Sequence, residues 1–186
     1  MSKFQVPKIN ELVGRLLIAA PYLKGSCFDH SVVFINNVTD THVIGTIVNH
    51  PIGKQLSSLG SHLEVNNELN DVPIFHGGPV DENKIRLAVI KSQNEQITNI
   101  TFNITHTEAI DYISTADSEL RAYIGLSCWS PEQLKRELQD RAWYVLPPTM
   151  INILLHSAPD MWTQAMQQLS PLHHIMSHAP YNIELN

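Results

Sequence analysis

The chain has 186 residues, 43 % of them apolar and 16 % charged, which suits one domain with a real core. Lysine and arginine total 12 against 18 aspartates and glutamates, a net charge of −6, so a broad basic surface that neutralises DNA phosphates is not expected. No apolar run approaches the ~20 residues of a membrane helix, no signal-peptide stretch opens the chain, and two cysteines are too few for a disulfide framework. A cytoplasmic protein with reduced thiols and no membrane contact is the expectation.

Gly14 to Ala20 (GRLLIAA) reads as a buried strand that stops at Pro21. A polar loop around Gly25 follows. Ser31 to Val38 and His42 to Asn49 read as an antiparallel pair joined by the turn residues Thr39-Asp40-Thr41, the second strand ended by Pro51. Gly53 to Asn70 reads as irregular, with one helical turn at Leu56 and Leu59. Val72 to His76 is a short strand leading into Gly77-Gly78-Pro79. Lys84 to Lys91 and Ile97 to Ile104 read as strands around a turn at Gln93-Asn94-Glu95.

Thr105 and Glu108 have capping-box spacing, with Ala109, Ile110 and Ile113 as an apolar face. Glu119 to Trp129 reads as a central strand. Ser130, Pro131 and Gln133 then predict a second capped helix, whose Leu134 and Leu138 share one side. Ala142 to Leu146 is a last strand before Pro147-Pro148. Two short helices are expected from about Met150 and about Pro159, and a loose tail from Pro171 to Asn186. Strands dominate and come in hairpin runs, so the fold class is α+β rather than regular βαβ.

Four segments carry a resemblance: GRLLIAAPYLKGSCFDHSVVFI (14–35), GTIVNHP (45–51), FHGGPV (75–80) and YIGLSCWSPEQLKREL with AWYVLP (123–147). In order and spacing the chain resembles the AlgH/YqgE family of small bacterial proteins, from Leu12 to Trp162. The resemblance implies a single domain over residues 1–186, with a mostly antiparallel, bifurcated sheet curled into a barrel-like shape and flanked by helices. It implies no established reaction; one member is described as a transcriptional regulator of alginate synthesis. This chain departs from the family pattern where relatives carry a basic residue: His30 precedes Ser31-Val32, and His50 stands between Asn49 and Pro51. The usual Gly-Trp pair is Cys128-Trp129, and the usual Pro-Gly-Gln-Leu-Glu run is Pro131-Glu132-Gln133-Leu134-Lys135. Two fixed charges thereby become titratable near neutral pH.

Gly77-Gly78-Pro79 offers either free N–H groups for an anion or a packed structural turn. Asn49 either fixes a turn or joins His50 in a polar surface. Gly125-Leu126-Ser127-Cys128-Trp129 lacks the second glycine of a nucleophile elbow, so a catalytic Ser127 is not favoured. Cys128 is either a thiolate near a helix N-terminus or a small buried residue. Cys27 and His30 pair only if their loop brings them together. His173, His174 and His178 suit a solvated tail better than zinc. His106-Thr107-Glu108 has no Pro-Cys-x-x-Cys partner and reads as a helix cap.

These readings point to a non-catalytic regulatory or interaction protein that needs no cofactor or metal. The alternative is a hydrolase or nucleotide-processing enzyme using the same surface. The candidate binding surface joins His30, Asn49, His50, Gly77, Gly78, Pro79, Ser127, Cys128, Trp129, Ser130 and Gln133, for a protein partner or a small anionic ligand. A monomer or weak homo-oligomer without direct DNA binding is expected.

Overall fold

The computed structural model describes residues 7–59, 67–146 and 148–170, with His173 and Ile175. Nine strands form one forked, mostly antiparallel sheet. Strands β1 (Leu16–Ala19), β2 (Val32–Val38) and β3 (Val43–Ile47) make a meander, and β9 (Trp143–Leu146) adds to the free edge of β1. The expected turn at Thr39–Thr41 is present, closed by Thr39 N–H donating to the His42 carbonyl at 2.8 Å.

Strand β4 (Pro51–Gln55) is a correction to the expected irregular segment. It pairs with β5 (Pro73–His76), with a register shift between Pro51 and Lys54 where Gly53 takes φ +68°. Its five residues are all exposed, so no hydrophobic alternation announces it. Pro51 is tolerated because it opens an edge strand. The helical turn at Leu56–Leu59 forms as expected, in 3₁₀ geometry with Leu56 buried.

Strand β6 (Val80–Gln93) begins earlier than expected because Val80 already pairs with Leu126; a bulge then runs to Ile85. β6 forms a hairpin with β7 (Gln96–Ile104), and Asn94 and Glu95 take the positive φ values of such a turn. The fork is built on β8 (Ser118–Trp129). One edge of β8 is held by β6; the other is held by β5, parallel, at Ala122–Ile124 and by β3, antiparallel, at Ser127–Trp129.

The helices cover the sheet. Helix α1 (His106–Ile113) starts with the complete capping box, Thr105 Oγ accepting from Glu108 N–H and Glu108 accepting from Thr105 N–H. Helix α2 (Pro131–Gln139) has only half of the second box: Ser130 Oγ accepts from Gln133 N–H, but the Gln133 side chain donates to Glu137 instead. Leu134 and Leu138 are fully buried as predicted, a burial of about 1.5–3 kcal/mol each. The first of the two expected helices is a 3₁₀ helix, Pro148–Leu155, and the second, α3 (Ala158–Leu169), is a full three turns.

Three apolar clusters result. Leu16, Val32, Phe34, Phe75, Tyr123 and Trp162 lie on one side under α3. Leu17, Val33, Ile47, Trp129 and Trp143 lie on the other under α2. Ile74, Leu87, Val89 and Ala122 lie against α1.

Candidate functional site

Three glycines make the fork. Gly77 donates its N–H to the Ile124 carbonyl of β8 at 2.7 Å and accepts from Ile47 N–H of β3 at 2.9 Å. It therefore occupies the handover point where the edge of β8 passes from β5 to β3. A Cβ on Gly77 would lie 2.5 Å from the Gly125 carbonyl oxygen, and Cβ atoms on Gly78 and Gly125 would collide with each other's segments. Gly78 (φ 142°) and Gly125 (φ 76°) also hold conformations that disfavour side chains. The Gly77 N–H is thus spent on the sheet. Gly77 and Gly78 are buried, while Pro79 is exposed.

A polar rim borders this junction. Asn49 is buried and clamps the loop before β2: its Oδ1 accepts from Val32 N–H at 2.8 Å, and its Nδ2 donates to the His30 carbonyl at 2.8 Å. This fixes His30, at φ 52°, with its ring edge-on to Trp162 at 4.1 Å and Nδ1 on Asp29 at 2.5 Å. His50 follows Asn49, and its carbonyl accepts from His76 N–H at 2.8 Å. His76 Nε2 meets Glu82 at 3.1 Å. Burial lowers the His50 pKa below 6.5 and repulsion between the His50 and His76 rings adds to this, against the opposing pull of the Asp29 and His30 carbonyls and the Asp29 carboxylate. His50 therefore charges at a lower pH than the free side chain.

The structure joins His30, Asn49 and His50 to Gly77 and Gly78 through the His76 backbone. Ser127 is part of the fork: it is fully buried and its Oγ donates to the Gly77 carbonyl at 3.4 Å. The rest of the segment turns away. Cys128 is half-buried opposite Ile44. Trp129 is 2 % exposed and stacks on Phe28, and its indole N–H and that of Trp143 both donate to Glu137. Ser130 and Gln133 serve the start of α2.

Sequence reasoning missed His76 and Glu82. Both adjoin the glycine turn, and the FHGGPV segment held the first in plain view. Ser31 Oγ lies 3.4 Å from His50 Nε2, but Ser31 is fully buried. Cys27 is exposed. His173 packs edge-on to Tyr144 at 4.5 Å, while His174 and His178 lie outside the described residues. Glu108 spends its carboxylate on the cap of α1. Among the described residues no three His, Cys, Asp or Glu side chains are placed to hold a metal ion, and no helix is long and apolar enough to cross a membrane.

The model of the AlgH-like family matches residues 16–173. The chain belongs to the AlgH-like family. Among the relatives of this AlgH-like chain, a UPF0301 protein of Shewanella denitrificans is 27 % identical over 170 residues, covering 87 % of this chain and 92 % of the relative. One of Thermobifida fusca is 29 % identical over 176 residues, covering 84 % and 86 %. The solution structure of AlgH from Pseudomonas aeruginosa superposes with a TM-score of 0.60 at 19 % identity, covering 97 % of this chain and all of that one. A crystal structure from Corynebacterium diphtheriae gives 0.67 at 19 % identity, covering 90 % and 92 %. At that identity the two structures establish the shared AlgH-like fold, a mixed sheet that forks and does not close. The relatives' names state no reaction.

Proposed function

We propose that this AlgH-like chain is a non-catalytic, cytoplasmic regulatory protein that engages an anionic partner, a small ligand or an acidic protein segment, through the rim formed by His30, His50 and His76. One observation supports this most: the Asn49 clamp holds the loop bearing His30 beside His50, while the neighbouring hydroxyls of Ser31 and Ser127 are fully buried. A buried hydroxyl cannot reach a substrate carbonyl. Any link to transcription runs through such a partner rather than through DNA, given 12 basic residues and a net charge of −6.

Sulfate titrated by calorimetry between pH 5.5 and 8 tests the reading. Affinity rises as pH falls, and because His50 is depressed the rise continues below pH 6.5. The facing groups are Asp29, His30, His76 and Glu82. The double variant His30→Arg, His50→Arg binds at neutral pH and loses most of the pH dependence. Equal sulfate affinity in both proteins across this range refutes the proposal. The hydrolase alternative has one observation in its favour, the Ser31–His50 contact. Labelling of Ser31 by a fluorophosphonate in the folded protein would decide for it.

A further inference from the structure

A second site lies on the sheet face beneath β7. There β7 comes back against β2, with Phe102 stacked on Phe34 at 5.3 Å, and a cleft of about 440 Å³ remains between β7, the β2–β3 hairpin and the β6–β8 pair. That volume is in the range of small-molecule sites. None of its lining residues belongs to the histidine rim, so the inference is independent of the function proposed above.

Two polar atoms at the cleft are unspent, Nη1 of the Arg86 guanidinium and the Tyr123 hydroxyl, both buried and without a hydrogen-bond partner. Arg86 stands directly opposite Tyr123 on the paired strands, and both line the cleft. The Arg86 Nη2 donates to Asp81 Oδ2 at 2.9 Å, but Nη1 is buried and has no hydrogen-bond partner. A guanidinium N–H left unpaired away from water is costly. Asp81 does not neutralise the group alone, because Lys84 Nζ shares the same carboxylate oxygen at 3.0 Å. Two cations facing one carboxylate leave one net positive charge. The remaining lining carries no charge: Phe34, Ile44, Ile100, Phe102 and Leu126 supply apolar walls, and tyrosine, asparagine and threonine residues supply the rest. A doubly charged, fully hydrated ion fits that composition poorly, and a neutral ligand leaves the charge unanswered.

We propose that this cleft binds a small organic monoanion, a carboxylate carried on an apolar ring or short chain. The carboxylate takes the spare Nη1–H of Arg86, and the apolar body lies between Phe102 and Leu126.

Benzoate is the probe, titrated into the full chain at pH 7.5 by calorimetry and by two-dimensional NMR, with benzamide and sulfate as comparisons. Benzoate binds saturably and shifts resonances of β2, β6 and β7, while benzamide and sulfate bind at least tenfold more weakly. Arg86→Gln lowers benzoate affinity at least tenfold and retains the wild-type circular dichroism, since Lys84 still holds Asp81. Asn37→Trp, a substitution at an exposed lining residue in register with Ile44 on the β2–β3 hairpin, fills part of the cleft and lowers affinity without touching Arg86. Should Arg86→Gln fail to fold, Asn37→Trp and the benzamide comparison carry the test. Absence of saturable benzoate binding to the wild type overturns the proposal. So does wild-type affinity in Arg86→Gln, or sulfate binding as tightly as benzoate.

Discussion

Asn49 shows how much of this molecule hangs on single polar groups. Its side chain closes the gap between the end of β3 and the start of β2 with two 2.8 Å hydrogen bonds, one of them buried. Asn49→Ala leaves Val32 N–H and the His30 carbonyl without partners, at about 1–3 kcal/mol for each buried group. A loss of about 2–4 kcal/mol in urea unfolding is expected, with an unchanged slope. A loss under about 0.5 kcal/mol would show that the clamp is not needed. Asn49, His30 and His50 stand out in the sequence as polar residues at strand ends. The clamp itself was not, because its two partners lie 17 and 19 residues upstream and only strand pairing brings them near. A conventional local turn at Asn49 was the available reading.

At the level of elements, the fork governs the rest. Residues 75–80 and 123–129 carry much of the family resemblance, and the structure gives a physical reason: two backbones pass each other too closely for side chains. Gly125→Ala adds a Cβ against the Gly78 carbonyl and forces alanine into φ 76°. The left-handed conformation alone costs about 1–2 kcal/mol, and the collision adds to it. We expect a loss of at least about 3 kcal/mol by denaturant unfolding; near-wild-type stability would mean that the fork tolerates separation. The capped helix α1 and the apolar strands β1, β2 and β9 were readable from local pattern because their signals are local. Strand β4 was not, since an edge strand with every residue exposed has no alternation. The second capping box was half right: Ser130 caps, but Gln133 is drawn to Glu137 because that carboxylate already accepts both buried indoles.

For the whole molecule, the titrating histidines set an acid limit. Burial lowers the pKa of both His50 and His173 below 6.5. The unfolded chain then binds more protons than the folded one as pH falls through 6.5, so stability is greatest above that value and drops below it. The melting temperature should fall between pH 7.5 and pH 5.5, and fall less in His50→Gln. A flat profile for the wild type, or an equal slope in the variant, would contradict the assignment. At the other extreme, burial pushes the Tyr123 phenol up to about 12, partly offset by Arg121. Its contribution is present below pH 10 and is lost as pH rises from 10 towards 12.

Residue order alone determined the α+β class, most strands, the cap of α1, the buried faces of α2 and membership of the AlgH-like family, because each depends on neighbours a few positions apart or on ordered motifs. Tertiary structure decided which motifs meet. It placed Trp129 in a core cluster under Phe28, turned the Gly77–Gly78 backbone into sheet, brought His76 beside His50, and left Arg86, which lines a cleft, with a buried and unpartnered Nη1. These outcomes depend on strand register across separations of tens of residues, and no local pattern encodes a register between strands that far apart.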